Sequence, residues 1–180
     1  MKIFGLAGYS GSGKTTLMIK LLSYFKENGL KIATIKHAHH SFDIDHEGKD
    51  SYRHRMAGAD EVLIASDRRW ALIHENDAHP APAPLELQQL ISHISPCDII
   101  LIEGFKSDNF PKIEIWRADN GKDLLDKSHP GILAIACPAH DMEILRGMFD
   151  YRGEEIFDLD NTQKIADFIL HHAYEANKLA

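Results

Sequence analysis

Cysteine is scarce: Cys97 and Cys137 are the only two in 180 residues. Both sit in apolar runs, so they are expected to be small buried hydrophobes in a reducing, cytoplasmic setting, with no disulfide framework and no cysteine-based metal site. No apolar run approaches the roughly 20 residues needed to span a bilayer. The chain enters an apolar segment at Lys2, so neither a membrane anchor nor a charged leader with a cleavable segment is expected. An excess of positive charge is also missing. The net charge of -7 argues against a general nucleic-acid-binding surface, although net charge says nothing about local basic patches. Internal repeats and low-complexity tails are absent. What is present, 44% hydrophobic and 26% charged residues, excludes compositional disorder. The length favours a single domain over residues 1–180.

The opening has a definite rhythm. Lys2 to Ala7 is a short apolar run ending in glycines, as a buried parallel strand should. Leu17, Met18, Leu21, Leu22 and Phe25 then recur at spacings of three and four, the mark of one helical face. Asn28-Gly29 supplies a helix stop, and Lys31 to Lys36 forms a second strand. Farther on, the polar stretch from His37 to Lys49 is expected to be a loop and Asp50 to Met56 a helix. Val62–Ala65 and Trp70–His74, separated by a polar turn, predict an antiparallel hairpin. His79 to Pro84 alternates proline and alanine and predicts a stiff connector, with a helix from Leu85 to Ile94 after it. Ile99–Ile102 and Ile132–Ala136 predict buried strands. Lys112–Trp116 alternates, with Ile113 and Ile115 on one face and Glu114 on the other. A last helix is expected from about Asn161 to Asn177. The whole predicts an α/β fold of the P-loop NTPase type, three-layered with a mostly parallel sheet, plus an antiparallel hairpin extension.

The segment Gly8-Tyr9-Ser10-Gly11-Ser12-Gly13-Lys14-Thr15 matches the P-loop pattern in full, between a strand and a helix as that motif requires. Gly8, Gly11 and Gly13 let the backbone curl so that successive amides, with Ser10, Ser12 and Thr16 beside them, face phosphate oxygens. Lys14 reaches the outer phosphates and the Thr15 hydroxyl can ligate Mg²⁺. Glu103 ends a buried strand where the ligand crevice of a parallel sheet lies, and is the second candidate for Mg²⁺; Asp98, at the other end, is expected to be structural. The loop after Lys36 leaves its strand on the same face, and Asp45 within it is a third candidate. Its histidines, His37, His39, His40 and His46, also admit a transition-metal site, but the spacing matches no closed zinc pattern and a polar loop serving a nucleotide or partner is favoured. Asp141, after the late strand, is the candidate to read a guanine edge, although an Asn-Lys-x-Asp motif is missing. Trp70 and Trp116 are expected to be core or interface anchors.

Three blocks together resemble the MobB family, the molybdopterin-guanine dinucleotide biosynthesis adapter proteins. These are Gly8 to Thr16; Lys36-His37-Ala38-His39-His40 through Gly48-Lys49-Asp50-Ser51 to Ala57-Gly58-Ala59; and Glu103-Gly104-Phe105-Lys106 followed by Pro111-Lys112-Ile113. The resemblance implies a homodimeric, cytoplasmic GTP-binding protein with weak Mg²⁺-dependent GTPase activity. It would assist molybdopterin guanylyltransferase, which joins GMP to molybdopterin, and other molybdenum cofactor enzymes. The family commonly has a Ser-Asp pair after the late strand, where this chain has Cys137-Pro138-Ala139-His140-Asp141. Two rivals are weighed beside it. A small-molecule kinase would need an arginine-rich lid, for which Arg68-Arg69 in a hairpin turn is poorly suited. A nickel or zinc metallochaperone GTPase would draw on the 12 histidines. A pure adapter holding GTP as a structural ligand is the non-enzymatic alternative.

Overall fold

The fold comes from a computed structural model, which describes residues 1–38, 42–75, 85–125, 129–148, 151 and 154–179. His39, His40 and the prolines of the connector lie outside them. In order, the elements are β1 (Lys2–Ala7), α1 (Lys14–Glu27), β2 (Ile32–Lys36), α2 (Asp50–Met56), β3 (Glu61–Ser66), β4 (Arg69–His74), α3 (Leu87–Ser92), β5 (Ile99–Glu103), β6 (Lys112–Ile115), β7 (Ile132–Cys137), α4 (Met142–Arg146), β8 (Glu155–Asp158), α5 (Thr162–His172) and β9 (Tyr174–Glu175). They form two compact units, one of residues 1–37 with 86–180 and one of residues 38–85. Among the described residues no helix is long and apolar enough to cross a membrane.

The larger unit is a sheet in the order β2-β5-β1-β6-β7-β8, every neighbouring pair parallel. Helices cover both faces. On one, Leu17, Leu21 and Phe25 of α1 and Ile165 and Ile169 of α5 pack with Phe4, Leu6, Leu101, Ile113 and Ile115. On the other, Leu87 and Ile91 of α3 meet Ile3, Ile100 and Ile102, and Leu145 of α4 meets Trp116, Ile135 and Cys137. This is the expected three-layer arrangement. Asn28-Gly29 ends α1 as expected: Gly29 takes φ +80°, the Leu30 amide donates to the Phe25 carbonyl, and the Gly29 amide to that of Lys26.

Several details differ from expectation. The last helix stops at His172, and Tyr174-Glu175 pairs antiparallel with Ile3 and Lys2. The reason lies in register: β6 reaches only Gly5–Ala7 of β1, so the start of β1 needs another partner on that side. Helix α4 and strand β8 were not expected; both are too short to show a period. The alternation in β6 is real, but Lys112 and Glu114 are buried as fully as the isoleucines, and Glu114 accepts the Leu125 amide at 2.9 Å. Cys137 is fully buried, and desolvation pushes its thiol up to about 11. Cys97 is only half-buried, its thiol donating to the Ile99 carbonyl at 3.6 Å and also raised by desolvation. Trp116 is a core anchor, its indole nitrogen donating to the Lys122 carbonyl, whereas Trp70 is exposed.

The smaller unit holds α2 and the β3–β4 hairpin, paired from Glu61↔His74 to Ser66↔Arg69. Arg55 of α2 gathers its acids, pairing with Asp43, Asp45 and Glu75. Asp43, which accepts the Asp45 amide and pairs with Arg55, is held below the usual carboxylate range.

Candidate functional site

Every strand of the parallel sheet points its carboxyl end to the same edge, and the chain order reverses around β1. That reversal is where open α/β sheets bind ligands. Register places Glu103 of β5 level with Leu6 of β1 and Lys36 of β2. The turn after β1, the end of β5 and the end of β2 therefore meet at one place.

The turn is built for close approach. Gly8, Gly11 and Gly13 have φ of +135°, +80° and +101°. At Gly8 a Cβ would fall 2.4 Å from the Ile115 carbonyl oxygen and 2.9 Å from the Ser12 hydroxyl, so no other residue fits. Gly13 starts α1, whose first turn has no side-chain cap and no acid. Ser12 is almost fully buried, and its hydroxyl lacks a hydrogen-bond partner. A buried orphan hydroxyl beside an uncapped helix start is the environment a phosphate satisfies. The Lys14 ammonium donates to the Tyr9 carbonyl at 2.7 Å and is half-buried. Desolvation lowers its pKa; Glu103 opposes that shift, and Lys106 and Lys36 add to it. Ser10, Thr15 and Thr16 are exposed around the same loop.

Glu103 lies 3.8 Å from the Lys36 ammonium, its side chain mostly buried. Thr15 brings a hydroxyl and Glu103 a carboxylate, donor types that suit Mg²⁺. Asp45 belongs to the smaller unit. There Oδ1 accepts the His46 amide and the Ser51 hydroxyl, and Oδ2 faces Arg55 Nε at 3.6 Å. No group of three or more His, Cys, Asp or Glu side chains among the described residues could hold a metal ion.

Two residues to which the motifs gave no role in the site complete the surroundings. Arg117, just past β6, donates from Nε to the Ser12 carbonyl at 3.0 Å, holding the P-loop backbone from outside. Nothing in its sequence context marks it; only the sheet order brings β6 next to β1. Lys106 places its ammonium 5.1 Å from the centroid of the Tyr9 ring. Asp141 is buried after β7, where Oδ2 accepts the Ala118 amide at 3.1 Å and Oδ1 is 3.5 Å from His140. It fastens the segment carrying Arg117. Asp98, at the far end of the sheet, accepts the Lys31 amide at 2.7 Å, a structural role.

Comparison with known proteins agrees with this architecture. The model of the family described as molybdopterin guanine dinucleotide synthesis protein B matches residues 3–138. The molybdopterin-guanine dinucleotide biosynthesis adapter protein of Haemophilus influenzae is 37% identical, over 97% of this chain and 92% of its own. That of Escherichia coli is 35% identical, over 97% and 95%. Among solved structures, Bacillus subtilis MobB superposes with a TM-score of 0.69 at 26% identity, covering 96% of this chain and 98% of its own. On the family model's match and these identities, the chain belongs to the molybdopterin guanine dinucleotide synthesis protein B family.

Proposed function

We propose that this protein binds GTP with Mg²⁺ at its P-loop and acts as an adapter in molybdenum cofactor biosynthesis. In that role it assists molybdopterin guanylyltransferase in attaching GMP to molybdopterin, with other molybdenum cofactor enzymes as further partners. The observation that carries the nucleotide assignment is the P-loop itself: three positive-φ glycines, an uncapped helix start and the orphan Ser12 hydroxyl around Lys14. The names of the Haemophilus influenzae and Escherichia coli relatives support the pathway. Lys14 and the loop amides neutralise phosphate charge, and Ser10, Gly11, Ser12, Gly13 and Thr16 frame it. Thr15 and Glu103 would hold Mg²⁺, which would offset the charge of the phosphates when bound.

Among the described residues no side chain in the β1–β5 crevice is an evident base for activating water, so hydrolysis by the isolated protein is expected to be slow and to rise with a partner or second subunit. A homodimer in the cytoplasm fits the exposed apolar hairpin, whose Leu63 and Trp70 are 62% and 64% exposed. The guanine preference is assigned to Asp141, which must release the Ala118 amide to meet a base.

Calorimetric titration with GTP and with ATP, each with Mg²⁺, tests the proposal. GTP is expected to bind more tightly, and Lys14→Ala to abolish both. Asp141→Asn should narrow the gap between the two nucleotides; an equal loss for both would make Asp141 a fastener only. Equal or tighter ATP binding by the native protein would overturn the guanine assignment and favour a kinase.

A further inference from the structure

The segment between β5 and β6 is held more firmly than a carboxylate at its start requires. Gly104 takes φ +104° and Phe105 φ +48°, two successive residues in the left-handed region. A Cβ at position 104 would lie 2.6 Å from the His37 Cβ, so the end of β2 demands glycine there. Phe105 is the one non-glycine residue with positive φ among the described residues, and its ring rests on the His37 imidazole with centroids 4.8 Å apart. Strain of this kind persists only where the surroundings over-determine it, and it clusters at functional sites.

The far end is clamped by Lys112. Its fully buried ammonium donates to the carbonyls of Asp108, Phe110 and Pro130 and stands 4.0 Å from the Phe110 ring centroid. Burying an ammonium to fasten backbone carbonyls is costly, so the conformation of residues 104–111 is worth holding. Between the two clamps the segment carries Lys106. Its ammonium lies over the ring of Tyr9, whose carbonyl binds Lys14. Lys14, Lys36 and Lys106 interact electrostatically there, with Glu103 the one carboxylate among those neighbours. Lys36 is paired with Glu103, whereas among the described residues Lys106 has the Tyr9 ring face as its partner. A ring face is a weak partner for an ammonium compared with a phosphate oxygen in a desolvated crevice.

We propose that Lys106 is the residue by which this protein tells a nucleoside triphosphate from a diphosphate. Its ammonium leaves the Tyr9 ring for an oxygen of the terminal phosphate, on the side where Glu103 enters the site. The clamped 104–111 segment fixes that lysine's reach, so the diphosphate, one phosphate shorter, gains little from it. No bond is made or broken in this step. The inference rests on the nucleotide assignment above and deepens it.

The test is titration of the native protein, Lys106→Met and Lys106→Arg with GTP and with GDP, each with Mg²⁺. Methionine keeps the apolar stem over Tyr9 and removes only the charge. The ratio of GTP to GDP affinity is expected to fall about tenfold or more in Lys106→Met and to recover in Lys106→Arg. A ratio unchanged within about twofold, whether or not both affinities fall together, overturns the proposal and leaves Lys106 a P-loop support. Failure of the native protein to bind either nucleotide defeats the underlying assignment instead, and shows in the native titration alone. Should Lys106→Met not fold, acetylation of lysines in the native protein, read by mass spectrometry, decides the matter. GTP but not GDP should protect Lys106, and equal labelling overturns the proposal.

Discussion

Gly8 and Gly29 share a positive φ, yet the fold asks different things of them. At Gly29, φ +80°, a Cβ would meet nothing within 4 Å, so Gly29→Ala carries only the left-handed backbone penalty of about 1 kcal/mol. At Gly8, φ +135°, the same Cβ would strike a backbone carbonyl that cannot swing aside. Gly8→Ala is therefore expected to cost on the order of 3 kcal/mol and to abolish nucleotide binding. Gly29→Ala should leave binding intact. Urea unfolding with nucleotide titration checks both; equal losses would mean that the P-loop is not held against β6. Lys112 supplies a pH test. Its burial pushes the ammonium down from 10.5 to about 8, so between those values the unfolded chain holds a proton that the folded protein has released. Stability then rises with pH through that window, by up to about 1.4 kcal/mol per unit. The stability of the native protein minus that of Lys112→Met should show this slope, and a flat difference from pH 8 to 10.5 would place Lys112 in solvent.

At the scale of elements, what the sequence announced depended on length and punctuation. The first strand, P-loop and helix were legible because three independent signals coincide: an apolar run, a glycine-spaced turn and a face repeating at three and four. The hairpin was legible from two apolar runs around a polar turn. Strand β8 and helix α4, four and five residues long, carry too few positions for a period to emerge. Strand β9 could not be found by local pattern at all, because its pairing is decided by the open side of β1, more than 170 residues earlier. The site divides the same way. Lys14 and Glu103 were legible as motif and strand end, while Arg117 and the roles of Lys106 and Lys112 depend on which strands become neighbours. The hairpin also makes a prediction of its own. Register puts Leu63, Ala65, Trp70 and Leu72 on one face, all of them exposed, and a two-stranded ribbon is marginal alone. If a second copy covers that face, burying one leucine is worth about 2 kcal/mol per subunit. Leu63→Lys should then weaken the dimer by at least about tenfold. Sedimentation equilibrium reads this directly, and an unchanged association constant would put the dimer interface elsewhere.

For the molecule as a whole, the division into units raises the question of what each can do without the other. Among the described residues, the buried apolar clusters are built from the sheet unit alone, as are the P-loop, its lysines, Glu103 and Arg117. The smaller unit is held by Arg55 and its acids and by hairpin pairing. The family resemblance nevertheless draws one of its three blocks from residues 36–59, so the sequence itself ties the smaller unit to function without saying which function. Replacing residues 38–85 by a flexible glycine-serine linker of about 8 residues separates the possibilities, since loop closure of that length costs little. The shortened chain is expected to unfold cooperatively and to bind GTP with Mg²⁺ within about threefold of the native affinity, because the phosphate cradle is untouched. It is expected to be monomeric, because the apolar hairpin is gone. If GTP binding is lost while cooperative unfolding persists, residues 38–85 supply part of the nucleotide site, and Asp45→Asn in the full chain should reproduce that loss. Retained binding with a retained dimer would instead assign self-association to the sheet unit and free the hairpin for another partner.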